Sequence, residues 1–183
     1  MPSTNLTNEL DLSLERWANF YLLTSAAAAA LIGLLFVVIT LAAERTVGTV
    51  EEGTAKIRVY LTPTVVFFAS VLVVAALLTF PDHTRLTATL CICLGGVGGL
   101  VYSGSLLIGG NKKTHEEWQD LLLYAIVPFA AYGLLVLGGV LLLRDPQLGL
   151  TLVAVGMLSL LTLGIRNSWA IAIDVVTTRP ARH

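Results

Sequence analysis

The costliest group in this chain is a single arginine. Arg166 stands in the run Gly164-Ile-Arg-Asn-Ser-Trp169, inside a long apolar stretch. A cation at bilayer depth is expensive unless it snorkels to the interface or finds a partner. Counted from Leu148, Arg166 falls near the far interface, and Trp169 suits the aromatic belt there. The plainer reading is an anchor with a structural ion pair. The sharper reading pairs Arg166 with Asp120, which the preceding stretch places at the same depth. Ser159 and Thr162 fall on the side of Arg166 and extend a polar line inward. Glu44, Arg45, Thr62, Thr64, Asn167 and Asp174 reach the same level. Together these residues form a polar crown able to bind an ion, a lipid headgroup or a partner.

Two further patterns carry possible chemistry. Glu116, Asp120, Tyr124, Pro128 and Tyr132 follow one another at intervals of four, so they share one slowly drifting helix face. Proline cannot donate to the carbonyl one turn earlier, near Tyr124. Tyr124, Pro128 and Tyr132 then line a polar pathway, or they mark a helix interface where the hydroxyls find acceptors. Cys91, Gly95, Gly99 and Ser103 form a row of small residues, also spaced by four. Such rows let helix backbones approach closely in lipid. The row reads first as a packing seam and second as a pore-lining or moving helix.

Other chemistries fall away. His115-Glu116-Glu117 lacks the second histidine of a zinc-protease helix. No histidine lies within an apolar stretch to serve as base to a serine nucleophile. No phosphate-cradling glycine loop ends in lysine. Cys91 and Cys93 lie about 200° apart around a helix and cannot easily pair with each other. The net charge of −1 argues against nucleic acid as a partner. The sequence predicts neither an enzyme nor a bound cofactor or metal.

The elements that must position these residues are five apolar stretches, about 20–43, 60–80, 86–108, 121–143 and 148–173. A bilayer core of about 30 Å takes about 20 apolar residues of helix. Charged residues make up 13% of the chain, against about 25% in soluble domains, and they lie almost wholly between the stretches. The expected fold is all-α: a polytopic membrane protein with a five-helix transmembrane domain over 20–176. A short interfacial helix over 1–19 precedes it, with Trp17 and Tyr21 at headgroup level, and a tail over 177–183 follows. Residues 1–19 carry Glu9, Asp11 and Glu15 and do not read as a signal peptide.

Orientation follows from basic residues. Arg45, Lys56, Arg58, Lys112, Lys113, Arg179 and Arg182 fall on one side; Arg16, Arg85 and Arg144 fall on the other. The positive-inside rule places the N-terminus outside and the C-terminus in the cytoplasm. Tight proline turns at Pro81 and Pro146 make helices two and three, and helices four and five, antiparallel neighbours.

The strings Tyr60-Leu-Thr-Pro-Thr-Val-Val-Phe-Phe68 and Gly164-Ile-Arg-Asn-Ser-Trp169 resemble small bacterial inner-membrane proteins with five predicted helices. The resemblance implies the inner membrane as location and weight on Thr62, Pro63, Arg166, Asn167 and Trp169. It carries no activity. In that group an acid often follows the tryptophan directly; here Ala170 follows, and the acid is Asp174.

The sequence therefore predicts a channel or transporter-like protein for an ion or small solute. Five helices enclose little space, so a conduction path needs a homo-oligomer in contact with membrane lipids. The alternative is a membrane scaffold, or a lipid- or partner-binding protein, with the crown as its docking surface.

Overall fold

A computed structural model describes residues 3–45, 50–80, 84–109 and 126–177, with side chains placed over 15–41, 62–80, 84–105 and 126–173. Those residues form five helices and no strand: α1 (Ser3–Arg45), α2 (Val50–Thr79), α3 (Arg85–Gly109), α4 (Val127–Leu141) and α5 (Pro146–Thr177). Four contain segments long and apolar enough to cross a membrane, namely Glu15–Leu41, Thr62–Thr79, Arg85–Ser105 and Pro146–Ile173; α4 is a shorter apolar helix. Large apolar side chains cover the outside, among them Leu22, Leu34 and Phe36 on α1 and Leu90, Leu94 and Val101 on α3. Water would not tolerate that coat. The chain is an all-helical bundle of membrane-protein character.

Local chemistry sets the helix starts. Asp145 caps α5: its Oδ1 accepts from the Leu148 amide at 3.0 Å, its carbonyl accepts from Gly149 at 2.9 Å, and Pro146 opens the first turn. Thr84 caps α3 in the same way, with Oγ1 accepting from the Thr87 amide at 3.3 Å. Two starts differ from the sequence expectation. α1 runs unbroken through residues 19 and 20, because nothing in Trp17-Ala-Asn-Phe20 stops a helix. α2 begins ten residues before Tyr60, so Pro63 stands in the helix interior rather than its first turn. Pro63 has no amide hydrogen to give the carbonyl of Val59.

Glycine decides the packing. α4 lies between α3 and α5 and packs extensively on both, while α2 and α3 meet only lightly despite their short connection. Gly138 faces α5: a Cβ there would stand 2.8 Å from the Gly149 carbonyl oxygen and 2.9 Å from the Val153 nitrogen. Gly149 returns the contact, its hypothetical Cβ 2.7 Å from the Leu142 nitrogen, and Gly156 sits 2.9 Å from the Ala131 carbonyl oxygen by the same measure. The next residue, Gly139, faces α3, against Cys93 and Ile92. Backbone thus lies on backbone, the way helices hold in lipid, where no hydrophobic force drives them together. Around this plank the core fills with Phe67, Val71, Tyr132, Leu135, Met157 and Leu160.

α1 joins through a narrow row, Tyr21, Thr24, Ala28 and Leu35. Tyr21 was expected at the headgroups. It turns inward instead and is fully buried, its hydroxyl donating to the Leu150 carbonyl at 2.9 Å. A phenol beside the bundle gains a fixed acceptor and apolar packing together. Trp17 stays half-buried, its ring edge-on to Phe20 at 5.5 Å.

Candidate functional site

α2 and α5 cross where Gly164 meets the ring of Phe68. The two helices are antiparallel, so one turn further along each come Thr64 and Asn167. Both side chains turn inward and are buried, Asn167 to 1% exposure. Asn167 continues the buried row Leu160, Gly164 and Ile171 of α5, in which it alone carries a carboxamide. Neither its Oδ1 nor its Nδ2 has a hydrogen-bond partner. Leaving such a group buried and unmade costs about 1–3 kcal/mol. Pro63, also buried, stands on the facing helix and gives no amide hydrogen to the Val59 carbonyl. Asn167 is thus a buried carboxamide whose donor and acceptor are both free.

The other crown residues separate from it. Arg166 and Thr62 are exposed. Adjacent helical residues point 100° apart, so Asn167 can face α2 only if Arg166 faces away. The backbones of Glu44, Arg45 and Asp174 close their helices, but their side chains lie outside the described residues, as does all of Asp120. Ser159 and Thr162 share the outward side with Arg166. Each donates to its own helix, to Val155 at 2.8 Å and Leu158 at 2.8 Å, so neither offers a free hydrogen to a pathway.

On α4, Tyr124 lies outside the described residues, and Pro128 sits buried in the first turn. Tyr132 is fully buried. Its hydroxyl is 2.9 Å from Ser70 Oγ, which itself donates to the Val66 carbonyl at 2.7 Å. Tyr132 is therefore the donor, and its polarity is spent inside the bundle.

On α3, Gly99 lies directly under the Tyr132 ring, and Ser103 is buried, donating to the Gly99 carbonyl at 2.8 Å. Cys91 is half-buried and Gly95 is exposed, with nothing of the bundle within 4 Å of a Cβ there. The face against α4 instead runs Ile92, Gly96, Gly99, Ser103, with Gly96 against Val136. Steps of four drift 40° each, and an alternation of four and three corrects the drift. Both cysteines are free thiols, Cys93 making a long contact of 3.8 Å to the Val136 carbonyl.

Sequence reasoning placed Asn167 and Thr64 in a crown but not apart from Arg166. The apolar residues at 160, 163 and 171 hold the signal, because they draw the face on which 167 falls. Among the described residues no group of three or more His, Cys, Asp or Glu could hold a metal ion. Comparison with protein-family models, with curated proteins and with solved structures gives no match.

Proposed function

We propose that this protein is a transporter-like carrier for an ion or small polar solute, with Asn167 as its central binding group and Thr64 on the facing helix. The observation that carries the reading is the unpartnered carboxamide of Asn167, 1% exposed within a membrane span. Polar groups in such places mark substrate or ion paths. A carrier fits better than an open pore, since Phe67, Tyr132, Met157 and Leu160 fill the middle of the bundle.

Asn167→Leu separates a binding role from a mere packing flaw. The variant should be more stable than wild type by about 1–3 kcal/mol, because it removes two unserved polar atoms at similar volume. It should also lose whatever stabilisation a bound solute provides. A thermal-shift panel of alkali cations, halides, amino acids and short sugars on purified wild type should find at least one stabilising solute. That shift should vanish in Asn167→Leu. A panel that moves wild type and variant alike would sink the reading.

The carrier works as a homo-oligomer in this proposal. Gly95 and Gly98 open onto empty space on the outside of α3, between Leu94, Val97 and Val101. Gly95→Leu should leave the subunit folded, since nothing lies within 4 Å of the new Cβ. It should break the oligomer, read by light scattering corrected for bound detergent. An unchanged subunit count in Gly95→Leu would remove α3 as the interface.

The exposure of Arg166 and Trp169 at one end of α5 favours a second reading, a rim that docks lipid or a protein partner. Arg166→Glu discriminates: it should spare solute-induced stabilisation if Asn167 binds the solute, and should abolish partner or lipid binding if the rim is the working surface.

A further inference from the structure

At the other end of α3 a second unserved group stands apart from Asn167. Arg85 opens the helix, and its Nε, Nη1 and Nη2 are all buried without a hydrogen-bond partner. One turn on, Thr89 is 7% exposed, and its Oγ1 likewise has none. Arg85 and Thr89 extend the row Ile92, Gly96, Gly99, Ser103 that faces α4, in steps of four and three. α3 and α4 are antiparallel, with Ile92 against Gly139. Seven residues before Ile92 therefore lies level with seven after Gly139. Arg85 stands at the height of the turn that joins α4 to α5.

Among the described residues, the carboxylate at that height is already engaged; Asp82 lies outside them. Asp145 is exposed and holds the Leu148 amide at 3.0 Å. Arg144 is exposed as well. The partner that a planar guanidinium fork matches best is an anion with two oxygens. The fork of Arg85 suits two oxygens at once, and Thr89 can donate to a third. The positive end of α3 adds to the field. A tetrahedral oxyanion satisfies all of these with separate oxygens, whereas a halide offers a single centre.

We infer that Arg85 and Thr89 form a phosphate-binding site at the start of α3, filled by a lipid headgroup phosphate or by free phosphate. The site lies where the membrane span of α3 begins, the depth at which headgroups lie. It stands independently of the solute site at Asn167, at the opposite end of the bundle, and neither reading needs the other.

The test uses the full chain, delipidated in a neutral detergent. Melting is followed by tryptophan fluorescence in inorganic phosphate and in chloride at equal ionic strength. It is repeated with dioleoylphosphatidic acid and with dioleoylglycerol, which lacks the phosphate. Dioleoylphosphatidic acid should raise the melting temperature of wild type where dioleoylglycerol does not. A rise in inorganic phosphate as well identifies a free oxyanion as sufficient; a rise with the lipid alone identifies the headgroup. Arg85→Gln should weaken phosphate binding by about 10- to 100-fold, and Thr89→Val by about tenfold. Arg85→Lys, which keeps the charge and loses the fork, should fall between. Should Arg85→Gln not fold, the wild-type titration and Thr89→Val decide. No phosphate-dependent shift in wild type, or equal shifts in wild type and Thr89→Val, overturns the site.

Discussion

Tyr132→Ala should lower the stability of the bundle by about 4 kcal/mol. The ring it removes joins three helices. Gly99 of α3 lies under it, Phe67 of α2 meets it at 6.5 Å and 54° between planes, and its hydroxyl donates to Ser70 at 2.9 Å. In lipid the loss is one of contact rather than of shelter from water, since many atom pairs vanish and the gap does not close. Tyr132→Phe isolates the hydroxyl. Ser70 keeps its own bond to Val66, so that variant should cost only about 1 kcal/mol. Denaturation by sodium dodecyl sulfate in mixed micelles reads both numbers. Losses of similar size in the two variants would mean that the hydroxyl, and not the ring, holds this junction.

Gly149→Ala should cost about 3 kcal/mol, large for one added methyl group. The new Cβ would stand 2.7 Å from the Leu142 nitrogen and 2.9 Å from the Gly138 carbonyl oxygen. Those atoms belong to backbone, so no side chain can swing aside and the two helices must part. Gly138→Ala acts on the same gap from the other side and should cost about as much. The double variant should fall well short of the sum, because helices already forced apart admit the second methyl freely. Gly133→Ala is the control. Nothing lies within 4 Å of a Cβ at 133, and alanine gains about 1 kcal/mol of helix propensity there. Additive losses at 138 and 149 would show that the contact does not exist.

The difference between Gly133 and Gly138 also marks what a sequence can tell. Hydropathy exposes the apolar stretches, since lipid demands a long run and charge is expelled from it. Helical character and the tight turn at Asp145-Pro146 follow from local chemistry and were legible, while the expected turn at Pro81 lies outside the described residues. Which face of each helix meets which neighbour was not. Gly95 and Gly96 are one residue apart and the same residue type, yet one opens outward and the other lies on Val136. Arg166 and Asn167 are likewise adjacent, and a polarity scale reads them alike. Only the burial of Leu160, Leu163 and Ile171 orients the helix and turns Asn167 inward. The heavier signal of the glycines in α3 also drew attention from Gly138, Gly149 and Gly156, scattered over two helices and joined only by the fold.

Tyr21 carries a consequence for synthesis. Its acceptor, the Leu150 carbonyl, lies 129 residues downstream. A ribosome adding about 5–20 residues per second needs roughly 6–26 s to reach it. Until then Tyr21 must wait with its lasting acceptor unmade, although α2, the main neighbour of α1, follows at once. The apolar flanks of α1, Leu22, Leu23, Leu34 and Phe36, suit it to that wait. Near the end of the Glu15–Leu41 span, Tyr21 can meanwhile spend its hydroxyl on headgroups and water. The same side chain serves first as an interfacial anchor for a newborn helix and then, once α5 arrives, as the latch that closes the bundle.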